Sequence, residues 1–168
     1  MSTPTVGPPR EVLPGTDLRL LGDLLTAEQR ERGSDLLTGP RPPLAVPGEP
    51  ERNHDLLPVT GFENLQQALL LRFLTQVGEL AHLGHATYGS RLHELIGELN
   101  TVTTRNRAKL FALQALAAEP RVASVTSITV TTAPSDPTRL EIRASLLAID
   151  HVTELNLVFP VPLAGGPL

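Results

Sequence analysis

A chain of 168 residues with 40% hydrophobic content is long enough for one domain with a modest core, and four Phe, one Tyr and no Trp leave that core to Leu, Val and Ala. The formal net charge of -4 and a single lysine, Lys109, argue against a broad basic face for nucleic acid. The absence of cysteine excludes disulfides and thiolate metal sites.

In chain order, the start Met1-Ser2-Thr3-Pro4 carries no positive n-region and no apolar h-region, and no apolar run reaches membrane-spanning length. Synthesis in the cytosol and no membrane partner are expected. Pro4, Pro8, Pro9 and Pro14, then Pro40, Pro42, Pro43, Pro47, Pro50 and Pro58, punctuate residues 1–58, which read as an extended arm. Two leucine patches, Leu18-Arg19-Leu20-Leu21 and Leu36-Leu37, are candidate anchors, and Thr26 to Arg32 allows a helical turn or two. Such an arm buries little by itself, so it is either disordered or laid on a partner, and the leucine patches favour the partner.

An ordered domain is expected over 59–160, with 161–168 as a tail. Thr60 and Glu63 fit a capping box, and Leu65, Ala68, Leu69, Arg72 and Phe73 recur at helical spacing, predicting an amphipathic helix over 61–75. Gly78 and Gly84 interrupt the pattern, and Ser90 to Ile96 predicts two further turns ended by Gly97. A third helix opens at Thr101 or Thr103 and runs to Ala118, with Ala108, Phe111, Ala112, Ala115 and Leu116 on one apolar face. Arg105, Arg107 and Lys109 crowd its first half, the less favourable end for positive charge.

Three strand-like runs follow, over 122–132, 139–147 and 151–159, the last ending at Pro160. Helices followed by an antiparallel meander make the fold class α+β: an extended arm, two to three helices, then a small three-stranded sheet. Its open edges are templates for strand addition. A proline replacing Asn156 is expected to break the third strand's ladder.

His82, His85 and His93 lie close in sequence, but Gly84 disfavours a regular helix across the first pair, so they read as loop histidines bonded to backbone, with no metal and no cofactor. Glu79, Glu94, Glu98 and Glu119 single out no catalytic pair, and no phosphate loop or nucleophile elbow occurs. No catalytic residue is assigned. Glu119-Pro120-Arg121 stands where the long helix stops and β-branched residues begin. Its proline is an ordinary helix stop, and its charged pair at a rigid corner is equally a directional docking point.

The runs Gly78-Glu79-Leu80, His85-Ala86-Thr87-Tyr88-Gly89-Ser90-Arg91-Leu92 and Glu119-Pro120-Arg121, followed by the meander, resemble the gene-25-like baseplate wedge family of contractile tails. That family includes the type VI secretion baseplate subunit and its counterparts in extracellular contractile injection systems. The resemblance spans residues 55–160, with Ala86 where many relatives carry proline. It implies a structural part in the baseplate of a particle assembled in the producing cell: a bundle with other wedge proteins, contact with the inner tube or hub, and initiation of the sheath by strand addition from sheath subunits, in a six-fold ring. It further implies Glu119, Pro120 and Arg121 as the docking corner. Leu140, Ile142, Leu155 and Leu157 would lie in the sheet that receives sheath arms, and Leu65, Leu69 and Phe73 in the bundle helix. A lysozyme-like hydrolase and a free-standing assembly factor are the alternatives.

Overall fold

The computed structural model describes residues 15–20, 38–40, 54–149 and 151–164. The expected helical turn at 26–32 and the Leu36-Leu37 patch lie outside them. Strands β1 (Thr16–Leu18), β2 (Thr38–Pro40), β3 (His54–Leu56) and β4 (Pro58–Thr60) precede helix α1 (Gly61–Leu74); helix α2 (Val102–Ala117) then leads into β5 (Val122–Ala133), β6 (Asp136–Ala148) and β7 (Glu154–Pro162). The last three form one antiparallel sheet in the order β5-β6-β7, so the α+β class and the meander are as expected.

The sheet is half-buried, and its alternation decides which face meets the helices. Leu140, Ile142, Ala144 and Leu146 of β6 and Leu155, Leu157, Phe159 and Val161 of β7 turn inward. There they join Leu65, Leu69, Leu70 and Phe73 of α1 and Ala108, Phe111, Ala112, Ala115 and Leu116 of α2 in one core, mostly aliphatic with three phenylalanines. The opposite face carries Ser145 hydrogen-bonded to Asn156 and an exposed Arg143–Glu141 pair.

Register and a loop hydrogen bond together fix where each strand's main chain points. Leu163 N–H donates to the Thr138 carbonyl at 2.8 Å, and β6 and β7 pair so that Leu140 faces Val161 and Ala144 faces Leu157. Antiparallel pairs alternate between bonded and non-bonded. Odd-numbered residues of β7 therefore bond to β6, while Glu154, Asn156, Val158, Pro160 and Pro162 turn their main chain to the outside. This is why the strand continues through Pro160, where the sequence suggested it would stop: a proline whose nitrogen faces outward costs no ladder bond. The same geometry corrects the expectation for Asn156, whose N–H is outside the ladder.

The helices start and stop for local reasons. Thr101 caps α2, its hydroxyl accepting the Thr104 N–H at 3.1 Å, which settles the choice between Thr101 and Thr103. The capping box at α1 does not form: Thr60 holds the N-cap position without a side-chain bond, and Glu63 pairs instead with Arg19 of the arm. The stretch from Ser90 to Ile96 contains one 3₁₀ turn, Leu92–Leu95, in place of two α-helical turns.

The arm differs most from expectation. Its segment around β1, expected to lie on a partner, lies on this chain. β1 pairs with β4, and the buried Gln67 side chain of α1 accepts from Leu20 N–H and donates to the Leu18 carbonyl, both at 2.9 Å. A side-chain amide thus takes the place of a neighbouring strand. With the arm on one side and the sheet on another, α1 also buries Asn64, Gln66 and Arg72, so it is covered on more than the one apolar face its spacing predicted.

Candidate functional site

The charged corner forms from three elements. Glu119, just past the end of α2, is buried, and its two carboxylate oxygens divide between two arginines: Oε2 accepts from Arg72 Nη2 of α1 at 3.2 Å, and Oε1 from Arg121 Nε at 2.6 Å. Arg72 lies with its guanidinium carbon 4.4 Å from the centre of the Tyr88 ring. Gly89 follows, at φ 108°, where a Cβ would come within 2.8 Å of the backbone of Thr75 and Gln76. That close approach lets Ser90 N–H bond to the Thr75 carbonyl and Ser90 Oγ to the Phe73 carbonyl, closing the end of α1. Tyr88-Gly89-Ser90 and Glu119-Pro120-Arg121, separate in sequence, therefore meet on Arg72.

Burial works against the charged form of Glu119, but hydrogen bonds and charge from Arg121, then Arg72, outweigh it and hold its carboxyl below the usual carboxylate range. Burial also pushes the Tyr88 phenol above its ordinary value. Of the expected docking corner, Glu119 is thus committed to an internal clamp. Pro120 is exposed, and Arg121, with its side chain 28% exposed, is the charged member that reaches the surface. Sequence reading missed Arg72 as a site residue, although a signal was present: an arginine in the run Leu69-Leu70-Leu71-Arg72-Phe73 sits on a core-facing position, and a buried guanidinium requires a buried carboxylate.

The other expected contact residues need correction. Leu65, Leu69, Phe73, Leu140, Ile142, Leu155 and Leu157 have buried side chains that fill the domain's own core, so they offer a partner no side-chain surface. β6 is paired on both sides, by β5 and β7, and cannot accept a strand. Among the described residues, no strand pairs with the outer sides of β5 and β7. The β7 edge loses two donors to Pro160 and Pro162. On β5, Ile128, Val130 and Thr132 face partners whose main chains bond toward β7, so their own N–H and carbonyl groups point outward.

The basic first half of α2 is partly accounted for. Arg107 pairs with Glu98 and reaches Glu94 at 3.9 Å, while Arg91 and Arg107 flank the Phe111 ring. Arg105 donates to Asn100 at 2.7 Å. His93 Nδ1 lies 3.1 Å from the Ser90 carbonyl, and His82 and His85 are exposed in the loop. Among the described residues, no group of three or more His, Asp or Glu is placed to hold a metal, and no helix is long and apolar enough to cross a membrane.

No family model matches the chain, and no curated protein does. Among solved structures it is similar to a Geobacter sulfurreducens protein described as a candidate tail lysozyme, at 23% identity and a TM-score of 0.52, over 60% of this chain and 88% of that one. At that identity the likeness is one of fold. It defines the class of the domain, an α+β unit whose architecture occurs in a protein named for a tail.

Proposed function

We propose that this chain is a structural component of the baseplate of a contractile, phage-tail-like particle, of the gene-25-like kind, joining other wedge proteins and starting the sheath by accepting strands from its first ring. The observation that carries the reading is the open three-stranded antiparallel sheet, with outward main-chain groups on β5, in a fold shared with a protein named for a tail. Arg121 at the surface of the clamp is the directional contact for a wedge neighbour. The exposed Val102 and Leu110 give α2, rather than α1, the free surface for a helical bundle. The inner tube or hub is a further partner, copies form a six-fold ring, and assembly takes place in the cytoplasm of the producing cell.

The similar structure's name raises a second reading, a hydrolase acting on cell-wall glycan. Such chemistry requires a carboxyl that holds its proton near neutrality beside a second carboxylate. Glu119, the buried carboxylate among the described residues, is driven the opposite way by its two arginines. No enzymatic role is therefore proposed, and purified protein is expected to leave bacterial wall material intact.

Deleting the gene in the producing cell and inspecting lysates by electron microscopy tests the reading. Loss of sheathed particles while inner-tube protein is still made is the expected result. Particles of normal number and sheath length would overturn it in favour of a free-standing assembly factor.

A further inference from the structure

Resting on the reading of Arg121 as the contact for a neighbour, we propose that the clamp is an exchange device: when a partner's carboxylate draws Arg121 away, Glu119 turns its released oxygen to the Nε of Arg72 and closes on that arginine with both oxygens. One donor is spare for this. The Arg72 side chain is 8% exposed, and its Nε is buried with no hydrogen bond among the described residues. A charged donor without an acceptor in such a place is a cost that native folds normally remove. In a guanidinium the Nε–H and one Nη2–H share an edge and point the same way, and that edge can take both oxygens of a carboxylate. Glu119 already holds one end of it, with Oε2 3.2 Å from Nη2, while Oε1 lies 2.6 Å from Arg121 Nε. Release of Oε1 therefore frees an acceptor beside the donor that lacks one.

Burial decides which member moves. Arg72 is held in α1, with the Tyr88 ring centre 4.4 Å from its guanidinium carbon. Arg121 stands on the short link between α2 and β5, with its side chain partly exposed, so it is free to swing outward. An arginine that leaves a buried carboxylate ordinarily strands a charge. Here the spare Nε offsets the loss, and Arg121 turns to an outside carboxylate without opening the core. The exchange also puts two bonds in place of one between α1 and the turn before β5, so docking at the surface tightens the interior.

The test is proton–nitrogen NMR of the arginine Nε–H groups in the full chain, with Arg121→Ala standing for an Arg121 drawn away. Arg72→Lys, which has no Nε, identifies the Arg72 signal by its loss; should that variant not fold, the signal's proximity to the Tyr88 ring protons identifies it. In the wild type this signal should lie at the unbonded end of the range. In Arg121→Ala it should shift downfield and exchange with water about ten-fold more slowly. A crystal structure of Arg121→Ala should show Glu119 Oε1 about 2.9 Å from Arg72 Nε. A signal that stays unbonded in Arg121→Ala would overturn the exchange, whatever particle counts say of Arg121 as a contact. A signal already bonded in the wild type, to water or to protein, would overturn it too, because no donor would be spare. A shifted signal together with normal particle yield would overturn the partner's part and leave the exchange as a property of the clamp.

Discussion

Arg72 and Glu119 each would be costly to bury alone, and together they tie α1 to the turn that launches the sheet. Removing one partner of a buried pair leaves an uncompensated charge, at about 3–5 kcal/mol. Glu119→Gln should therefore destabilise the domain on that scale in urea unfolding at pH 7; a loss below about 1 kcal/mol would mean that water reaches the clamp. The pH dependence has a definite sign. The folded pKa of Glu119 is depressed, so its contribution is fully present above the ordinary carboxylate value of 4.5 and is lost as pH falls through the lower folded value. The acid limb of wild-type stability should thus be steeper than that of Glu119→Gln. Arg121→Ala leaves the Arg72–Glu119 pair in place, so the domain should stay folded while sheathed particles fall in number; normal particle yield would remove Arg121 from the docking surface.

At the scale of elements, the strands show why some prolines are harmless. Asn156→Pro should preserve the sheet, because residue 156 turns its N–H outward, whereas Leu157→Pro deletes a bond to β6 at Ala144 and breaks the core packing of a buried leucine. Far-UV circular dichroism and thermal melting of the two variants separate the cases, and equal loss in both would contradict the register. The apolar face of α2 and the alternation in β6 were legible in the sequence because each follows a single period, 3.6 or 2, over many residues. The direction of a strand's hydrogen bonds was not, because side-chain alternation says which face a residue occupies and nothing of which neighbour its main chain meets. The capping box at Thr60 failed for a related reason. Glu63 had a local partner on offer and took a distant one, Arg19, which no local pattern can reveal. The clamp lay between these cases: both signature runs were readable as unusual, but their meeting point on Arg72 depends on the packing of α1 against the end of α2.

At the scale of the whole molecule, the described part of the arm belongs to the domain's cooperative unit. β1 contributes a ladder to β4, the Arg19 N–H bonds to the Leu57 carbonyl at 2.8 Å, and Gln67 holds both Leu18 and Leu20. Gln67 is buried in α1, so losing the arm takes away two partners of its amide in a place that water must then enter or leave vacant. Each such bond is worth about 1 kcal/mol net, and a buried amide left short of partners costs about 1–3 kcal/mol more. A chain beginning at residue 21 should therefore unfold in one transition, roughly 3–5 kcal/mol less stable than the full chain. Full-length protein should show no separate early transition for its arm. An arm that melts first, leaving the stability of 59–160 unchanged, would show that β1 rests on the domain without supporting it. The expectation runs the other way because the amide of Gln67 bonds in register with the arm, accepting from Leu20 N–H and donating to the Leu18 carbonyl across the face of α1.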